Sequence, residues 1–215
     1  LQARAWDGVT GELMLKRYGI AQSRAFRNLW MLEELGLPYE QVKIGFENMK
    51  VVDPRLHALN PNRKLPTLDD GGTILFESMA INLYLAEKHG GPLKWADAAE
   101  AGRCFQWSLW VANEMEPKSQ AWGFAKFMAP EPRDAKAIEA AAAGMDASLT
   151  VLDGALKGRD WLAADRFTVA DCNVAGVLYR LLWFDGLGRY ANVKAWMDRC
   201  WARPAARKAR QMREG

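Results

Sequence analysis

The spacing of apolar and polar positions changes character near residues 89–97, and each side of that point predicts a different architecture. Leu13–Tyr18 is a short apolar-biased run, as a buried strand would be. Ala25, Leu29, Leu32 and Leu35 are spaced by four, three and three, one apolar stripe of a helix over Ser23–Leu35. Gly36 and then Pro38 stop it. Tyr39–Ile44 predicts a second strand with Val42 and Ile44 on one face, and residues 47–59 are irregular with room for one short helix. Leu65–Leu68 and Ile74–Phe76 predict two strands joined through Asp69-Asp70-Gly71-Gly72, a hairpin signal. Met79–Lys88 is helical again, until Gly90, Gly91 and Pro92 end it.

Beyond that boundary the periodicity is helical throughout. Helices are expected over 98–116, 133–157, 168–185, 192–202 and 204–212, with Pro117, Pro130 and Pro132 marking the first gap. Helices of that length with apolar stripes assemble as a bundle. The expected organisation is an α/β half over residues 13–91, an all-α half over 92–215, and an extension, residues 1–12, before the fold.

Composition narrows the function classes. Half of the 215 residues are hydrophobic and 26% are charged, which supports a sizeable core rather than disorder. No apolar run approaches the roughly 18–20 residues of a membrane span. Leu1 to Glu12 holds no apolar stretch of the kind a secretory signal needs, so none is expected. Cys104, Cys172 and Cys200 are far apart, odd in number and form no Cys-x-x-Cys pair, which disfavours a disulfide scaffold or a zinc site. With His57 and His89 as the only histidines, no metal is expected, and the cysteine usage fits a reducing cytoplasm. A net charge of +3 is too small to argue for nucleic acid. Arg199, Arg203 and Arg207 share a helix face that reads first as solvated, with an anionic partner as the alternative.

Chemistry could sit at three junctions, two of them strand-to-helix and one inside a strand-like run. In Tyr18-Gly19-Ile20-Ala21-Gln22-Ser23-Arg24, Ser23 is an ordinary helix cap, or its hydroxyl faces a ligand held at the helix terminus. A bound thiol, with a pKa near ~8.5, would need such a donor to be deprotonated at neutral pH. In Asn60-Pro61-Asn62-Arg63-Lys64-Leu65-Pro66-Thr67-Leu68, Pro66 interrupts a strand-like run, so the site is a sheet edge, a bulge or a cis bend. A cis bend would leave the backbone of Leu65 free to pair with an extended peptide. In Phe76-Glu77-Ser78-Met79, Ser78 caps a helix and Glu77 is a surface acid, or together they take the two charges of a free amino-acid end.

Taken together, YGIAQSRAFRNLWMLEELGLPYE (18–40), NPNRKLPTL (60–68) and FESMAINLYLAEKHG (76–90) resemble the glutathione transferase family. RDWLAADRFTVADCNVAG (159–176), with Thr168 and Asp171 as a capping box, and RCWARPAARKA (199–209) extend the resemblance over residues 13–212. The resemblance implies a thioredoxin-like N-terminal domain, an all-α helical bundle C-terminal domain and a homodimer. It implies glutathione as co-substrate and a detoxifying transferase reaction. Leu65, before a cis-Pro66, would pair with the cysteine of glutathione. Glu77 and Ser78 would hold its γ-glutamyl end, and Lys64 its peptide or glycine carboxylate. Ser23 would lie near the thiol, although counting back from Arg27 aligns the family serine with Gln22; Tyr18 is a third, less well-placed candidate. Arg63 stands where members often carry Gly. No Cys occupies this region, which disfavours the disulfide-exchange classes.

Ten tryptophans are several-fold above ordinary usage. Trp107, Trp110, Met115, Trp122, Phe124 and Phe127 fall in or after the first helix of the second half, which in the family faces the thiol. They are expected either to line a cleft for a small apolar electrophile, above all Trp107, Trp110, Met115 and Trp122, or to be bundle core. Conjugation of glutathione to such an electrophile is the leading reading. A glutathione-dependent isomerase, dehalogenase or peroxidase, and a non-catalytic binding or scaffold protein, are the alternatives.

Overall fold

A computed structural model describes residues 14–47 and 50–215, so the expected N-terminal extension lies outside the described residues. The first half is built on four strands: β1 (Leu15–Tyr18), β2 (Tyr39–Val42), β3 (Thr67–Asp70) and β4 (Thr73–Phe76), in the order β2-β1-β3-β4. β1 pairs parallel with β2 and antiparallel with β3, and β3 pairs antiparallel with β4. A parallel pair needs a crossover, and α1 (Ala25–Leu35) supplies it. Gly36 ends α1 at φ 64, donating its N–H to Glu33 O and Leu32 O, a left-handed cap that glycine adopts without penalty. The irregular segment holds one short helix, α2 (Pro54–Leu59), capped by Asp53 accepting from the Arg55 N–H at 2.8 Å. α3 (Ser78–His89) closes this half.

The hairpin turn is shorter than expected. Asp69 and Asp70 belong to β3, and Gly71 and Gly72 alone make the turn at φ 61 and 92. Asp70 is buried because its carboxylate accepts from Lys88 Nζ at 2.5 Å and Tyr84 OH at 2.7 Å, tying the strand to α3.

The second half is helical: α4 (Ala98–Trp110), α5 (Glu116–Gly123), α6 (Ala135–Ala143), α7 (Asp146–Ala155), α8 (Val169–Val177), α9 (Ala191–Ala202) and α10 (Pro204–Glu214). No helix of the described residues is long and apolar enough to cross a membrane. Pro117 does not end the first helix as the spacing predicts. A π-helical stretch over Val111–Met115 carries the backbone from α4 into α5, where Pro117 sits in the first turn and its missing N–H costs little. A second such stretch, Phe124–Met128, follows α5. The helix expected over 133–157 divides at Gly144-Met145 into α6 and α7, and the one over 168–185 tightens after Val177 into a 3₁₀ turn, Leu178–Trp183.

The two halves share one core. Ala25 to Leu32 are all buried, because α1 packs on α3 within its own half and on α8 and α10 of the other. A chain of buried amides crosses the same contact. Asn28 Nδ2 donates to Ser78 O and to Asn82 Oδ1, both at 2.7 Å. Asn82 Nδ2 donates to Asn173 Oδ1 at 2.8 Å, and Asn173 Nδ2 to Ser108 Oγ at 2.9 Å. One hydrogen-bonded line therefore runs from α1 through α3 and α8 to α4. Arg203, at the start of α10, adds a bidentate pair to Glu34 at the end of α1, at 2.7 and 2.8 Å.

Candidate active site

Strand register alone gathers the three junctions. Tyr18 at the end of β1 lies opposite Thr67 at the start of β3, and Thr67 lies opposite Phe76 at the end of β4. The segments Gly19–Arg24, Leu65-Pro66 and Glu77-Ser78 thus meet the sheet at the same end of its strands. Two contacts draw them together. Gly19, at φ 130, sits against Ala25 and Leu65: a Cβ there would lie 2.9 Å from Ala25 Cβ and 3.5 Å from Leu65 Cδ2. Arg27 Nη1 donates to Ser78 Oγ at 3.2 Å, joining α1 to the start of α3.

Each expected residue can be placed. The Leu65–Pro66 peptide is cis, and neither the N–H nor the C=O of Leu65 bonds to anything among the described residues. Asn60 Nδ2 braces this bend by donating to Lys64 O at 2.9 Å and Thr67 Oγ1 at 3.2 Å. Lys64 and Arg63 are exposed. Arg63 stands at φ 53, in the left-handed region that glycine adopts most readily. Ser78 is buried, and Glu77 is exposed beside it at φ 72, a conformation uncommon for a side chain of that size. Such backbone costs about 1–3 kcal/mol and concentrates at ligand clamps.

The loop after β1 is held from within and from the far end of the chain. Ser23 is 8% exposed; its hydroxyl donates to Ile20 O at 2.7 Å and accepts from the Ala25 N–H at 3.1 Å. α1 starts at Ala25, so Ser23 caps from two residues upstream. Gln22 is exposed and donates from Nε2 to Arg213 O at 3.2 Å. Arg213 Nη1 in turn donates to Ala21 O at 2.5 Å and Ser23 O at 3.1 Å, its guanidinium lying over the rings of Phe26 and Tyr179. Tyr18 is half-buried at the strand end.

Glu116, which sequence spacing did not single out, organises the electrostatics. Its Oε1 accepts from Arg24 Nε at 2.7 Å and Arg27 Nη2 at 2.9 Å, and Oε2 accepts from Arg27 Nη1 at 3.3 Å. Burial opposes the charge on Glu116, but Arg27 and Arg24 together hold its carboxyl below the usual glutamate range. Burial likewise pulls Arg27 down, and Glu116 offsets part of that. The only available signal was the pair Arg24 and Arg27, three apart at the start of α1.

Of the residues expected to line an acceptor cleft, Trp122 borders one. It lines a cleft of about 310 Å³ with Ile138, Trp183 and Phe184. Met115 is fully buried, and Trp107 is buried with Trp110 edge-on against it at 5.1 Å. Phe124 and Phe127 are exposed. A ring path links the cleft to the loop: Phe26 to Tyr179 at 5.2 Å, Tyr179 to Trp183 at 5.0 Å, Trp183 to Phe127 at 6.4 Å and Phe127 to Trp122 at 5.5 Å.

Known proteins share this fold. Residues 13–87 match the family model for the glutathione S-transferase N-terminal domain, and residues 116–204 match that for its C-terminal domain. The chain is 34% identical over 190 residues to glutathione S-transferase GstB of Escherichia coli, covering 84% of this chain and 89% of that protein. It is 32% identical over 205 residues to glutathione S-transferase 3 of Zea mays, covering 90% and 92%. A solved glutathione S-transferase-I bound with lactoylglutathione superposes with a TM-score of 0.83 at 29% identity, covering 93% of this chain and 100% of that one. A theta class enzyme from Xanthomonas axonopodis with glutathione bound gives 0.81 at 28% identity, covering 91% and 96%. With both halves matched and full-length relatives above 30% identity, this chain belongs to the glutathione S-transferase family.

Proposed function

We propose that this protein joins the thiolate of glutathione to a small, largely apolar electrophile. The observation that carries this is the convergence at one end of the sheet of a free backbone pair at Leu65, a hydroxyl and acid at Ser78 and Glu77, and the loop bearing Ser23. Glutathione is an extended tripeptide with a free amino-acid end, and that set matches its parts in order. Leu65 would pair with the cysteine backbone, Glu77 and Ser78 with the γ-glutamyl end, and Lys64 with the glycine carboxylate.

Ser23 is the residue assigned to the thiol, with Gln22 as the alternative. The Ser23 hydroxyl has one proton, and it now points to Ile20 O. Rotation about the Cβ–Oγ bond would exchange that neutral acceptor for an anionic sulfur, a stronger partner. The Ala25 N–H would go on donating to Oγ and polarise it. In the proposed reading the acceptor enters beside the ring path, the chain forms a homodimer, and it works in the cytoplasm, where its three buried thiols stay reduced.

Retention on immobilised glutathione, followed by conjugation of chloro-dinitrobenzene, tests the reading. Retention with turnover supports it; retention without turnover supports a binding role, which the engaged Ser23 hydroxyl would then explain; no retention sinks it. Ser23→Ala is expected to lower kcat about tenfold to a hundredfold, with glutathione affinity nearly unchanged. Normal turnover in Ser23→Ala with loss in Gln22→Ala would move the assignment one residue. Glu77→Ala and Ser78→Ala should each weaken glutathione binding about tenfold, as expected for lost hydrogen bonds to charged groups. Calorimetric affinities unchanged in both would remove the γ-glutamyl assignment.

A further inference from the structure

The loop that carries Ser23 is closed by few bonds of its own. The Ser23 N–H donates to Ile20 O at 3.1 Å, its hydroxyl donates to the same carbonyl, and the Ala25 N–H donates to Ser23 Oγ. Ala21 O finds no donor within the loop. Its partner among the described residues is Arg213 Nη1, 192 positions away in sequence. The same nitrogen reaches Ser23 O at 3.1 Å. Gln22 stands between those two carbonyls, and its Nε2 returns the contact by donating to Arg213 O at 3.2 Å. Three consecutive loop residues are thus clasped by one residue in the last turn of α10.

Arg213 is itself held in place. Its guanidinium carbon lies 5.2 Å from the centre of the Phe26 ring, on α1, and 4.7 Å from that of Tyr179, in the 3₁₀ turn after α8. The Tyr179 hydroxyl donates to Glu214 at 2.6 Å, and Glu214 also accepts from Arg210 Nε at 2.7 Å, which steadies the ring. A charged N–H makes a stronger bond to a carbonyl than a neutral one, and a guanidinium lying over aromatic rings gains further attraction. The clasp therefore acts where Gln22 and Ser23 compete for the thiol. Gln22 is exposed, with its amide drawn onto α10, whereas Ser23 is 8% exposed, with its hydroxyl turned into the loop.

We infer that Arg213 is a positioning residue of the thiol site: by gripping the carbonyls that flank Gln22 it fixes the loop so that Ser23, and not Gln22, serves the sulfur. This rests on the transferase reading and adds a condition to it, that α10 be seated on α1 for the thiol to be activated. A donor stabilises charge best when it is held in place beforehand. Without Arg213, Ala21 O and Ser23 O would turn to water, and Ser23 Oγ would meet the sulfur for only part of the time.

The ionisation of glutathione bound to the full chain, followed across pH by the ultraviolet absorbance of the thiolate, tests this. In the unmodified protein the bound thiol should ionise below the ~8.5 of a free one. Arg213→Met should move that curve upward, leaving about tenfold less thiolate at neutral pH and lowering kcat for chloro-dinitrobenzene about as much. Calorimetric affinity for glutathione should stay within about threefold, because Leu65, Glu77 and Ser78 are untouched. Arg213→Lys keeps a charged donor and should recover part of the loss. Tyr179→Phe frees the ring beneath the guanidinium; it should move the curve the same way by less, and it serves where Arg213→Met folds poorly. An ionisation curve identical in the unmodified protein and every variant would overturn the inference. So would a fall in kcat with no movement of that curve, which marks a merely structural loss. A bound thiol that ionises no earlier than a free one in the unmodified protein would sink the transferase reading and this inference with it, so the two failures are told apart.

Discussion

Asp171→Ala is expected to destabilise the protein by about 3–5 kcal/mol, a large share of the ~5–15 kcal/mol that holds a typical domain folded. Asp171 lies in the first turn of α8, wholly buried, and four donors converge on its carboxylate. Oδ1 accepts from the Leu162 N–H and from Trp196 Nε1, both at 2.9 Å. Oδ2 accepts from the Thr168 N–H at 2.9 Å and from Thr168 Oγ1 at 3.1 Å. The one side chain therefore closes the helix cap, fixes the preceding loop and anchors α9. Alanine would leave these donors dry and unpaired, at roughly 1–3 kcal/mol for a buried polar group, with losses less than additive. Asp171→Asn retains one accepting oxygen and should lose about half as much. Urea unfolding followed by tryptophan fluorescence measures both; a loss below about 1 kcal/mol for the alanine variant would contradict this account.

Glu116→Ala is the second large loss, about 3 kcal/mol or more, because removing one member of a buried pair strands the other. Arg27 carries most of it: its side chain is 6% exposed, against 48% for Arg24, whose pairing is screened by solvent. The same change should weaken glutathione binding, since Arg27 would no longer be held on Ser78 Oγ. Acid separates this residue from Asp171. Glu116 has a folded-state pKa below its unfolded value, so its contribution is complete above the ordinary glutamate range and is lost as pH falls through the lower folded value. Asp171 runs the other way: burial raises its pKa above the pull of its donors, so protonation as pH falls favours the folded state. Glu116→Gln should therefore flatten the acid limb of a stability–pH curve, whereas the Asp171 variants should steepen it.

Much of this was legible in the residues. The stripe of α1, the Gly-Gly hairpin and the Thr168–Asp171 box are local patterns, and local patterns set local structure. The three sites could be named for the same reason: Gly19 and Ser23 after one strand, Pro66 inside another strand-like run, and Glu77-Ser78 at a helix start are each local in the sequence. What escaped depends on distance along the chain. Glu116 lies 89 residues from Arg27, and nothing near either announces the other. Pro117 reads as a helix stop until the π-helical stretch before it is seen to absorb the fault. The aromatic residues of the long helix could not be divided into core and cleft, since helical spacing alone does not say which element packs on each face. Gly123 reads as a weak point in a helix, and only the Arg180 side chain, whose Cδ lies 2.4 Å from where a Cβ would stand, gives it a reason.

The amide line from Asn28 through Asn82 and Asn173 to Ser108 also bears on recombination between relatives. Asn28 and Asn82 come from the first half of the chain, Asn173 and Ser108 from the second. A hybrid that grafts this N-terminal half onto a helical half bearing apolar residues at positions 108 and 173 would bury the donor of Asn82 against hydrocarbon. The seam would then fail even where every surface contact had been matched. The line is a compatibility code, and a successful exchange of halves has to carry both sides of it.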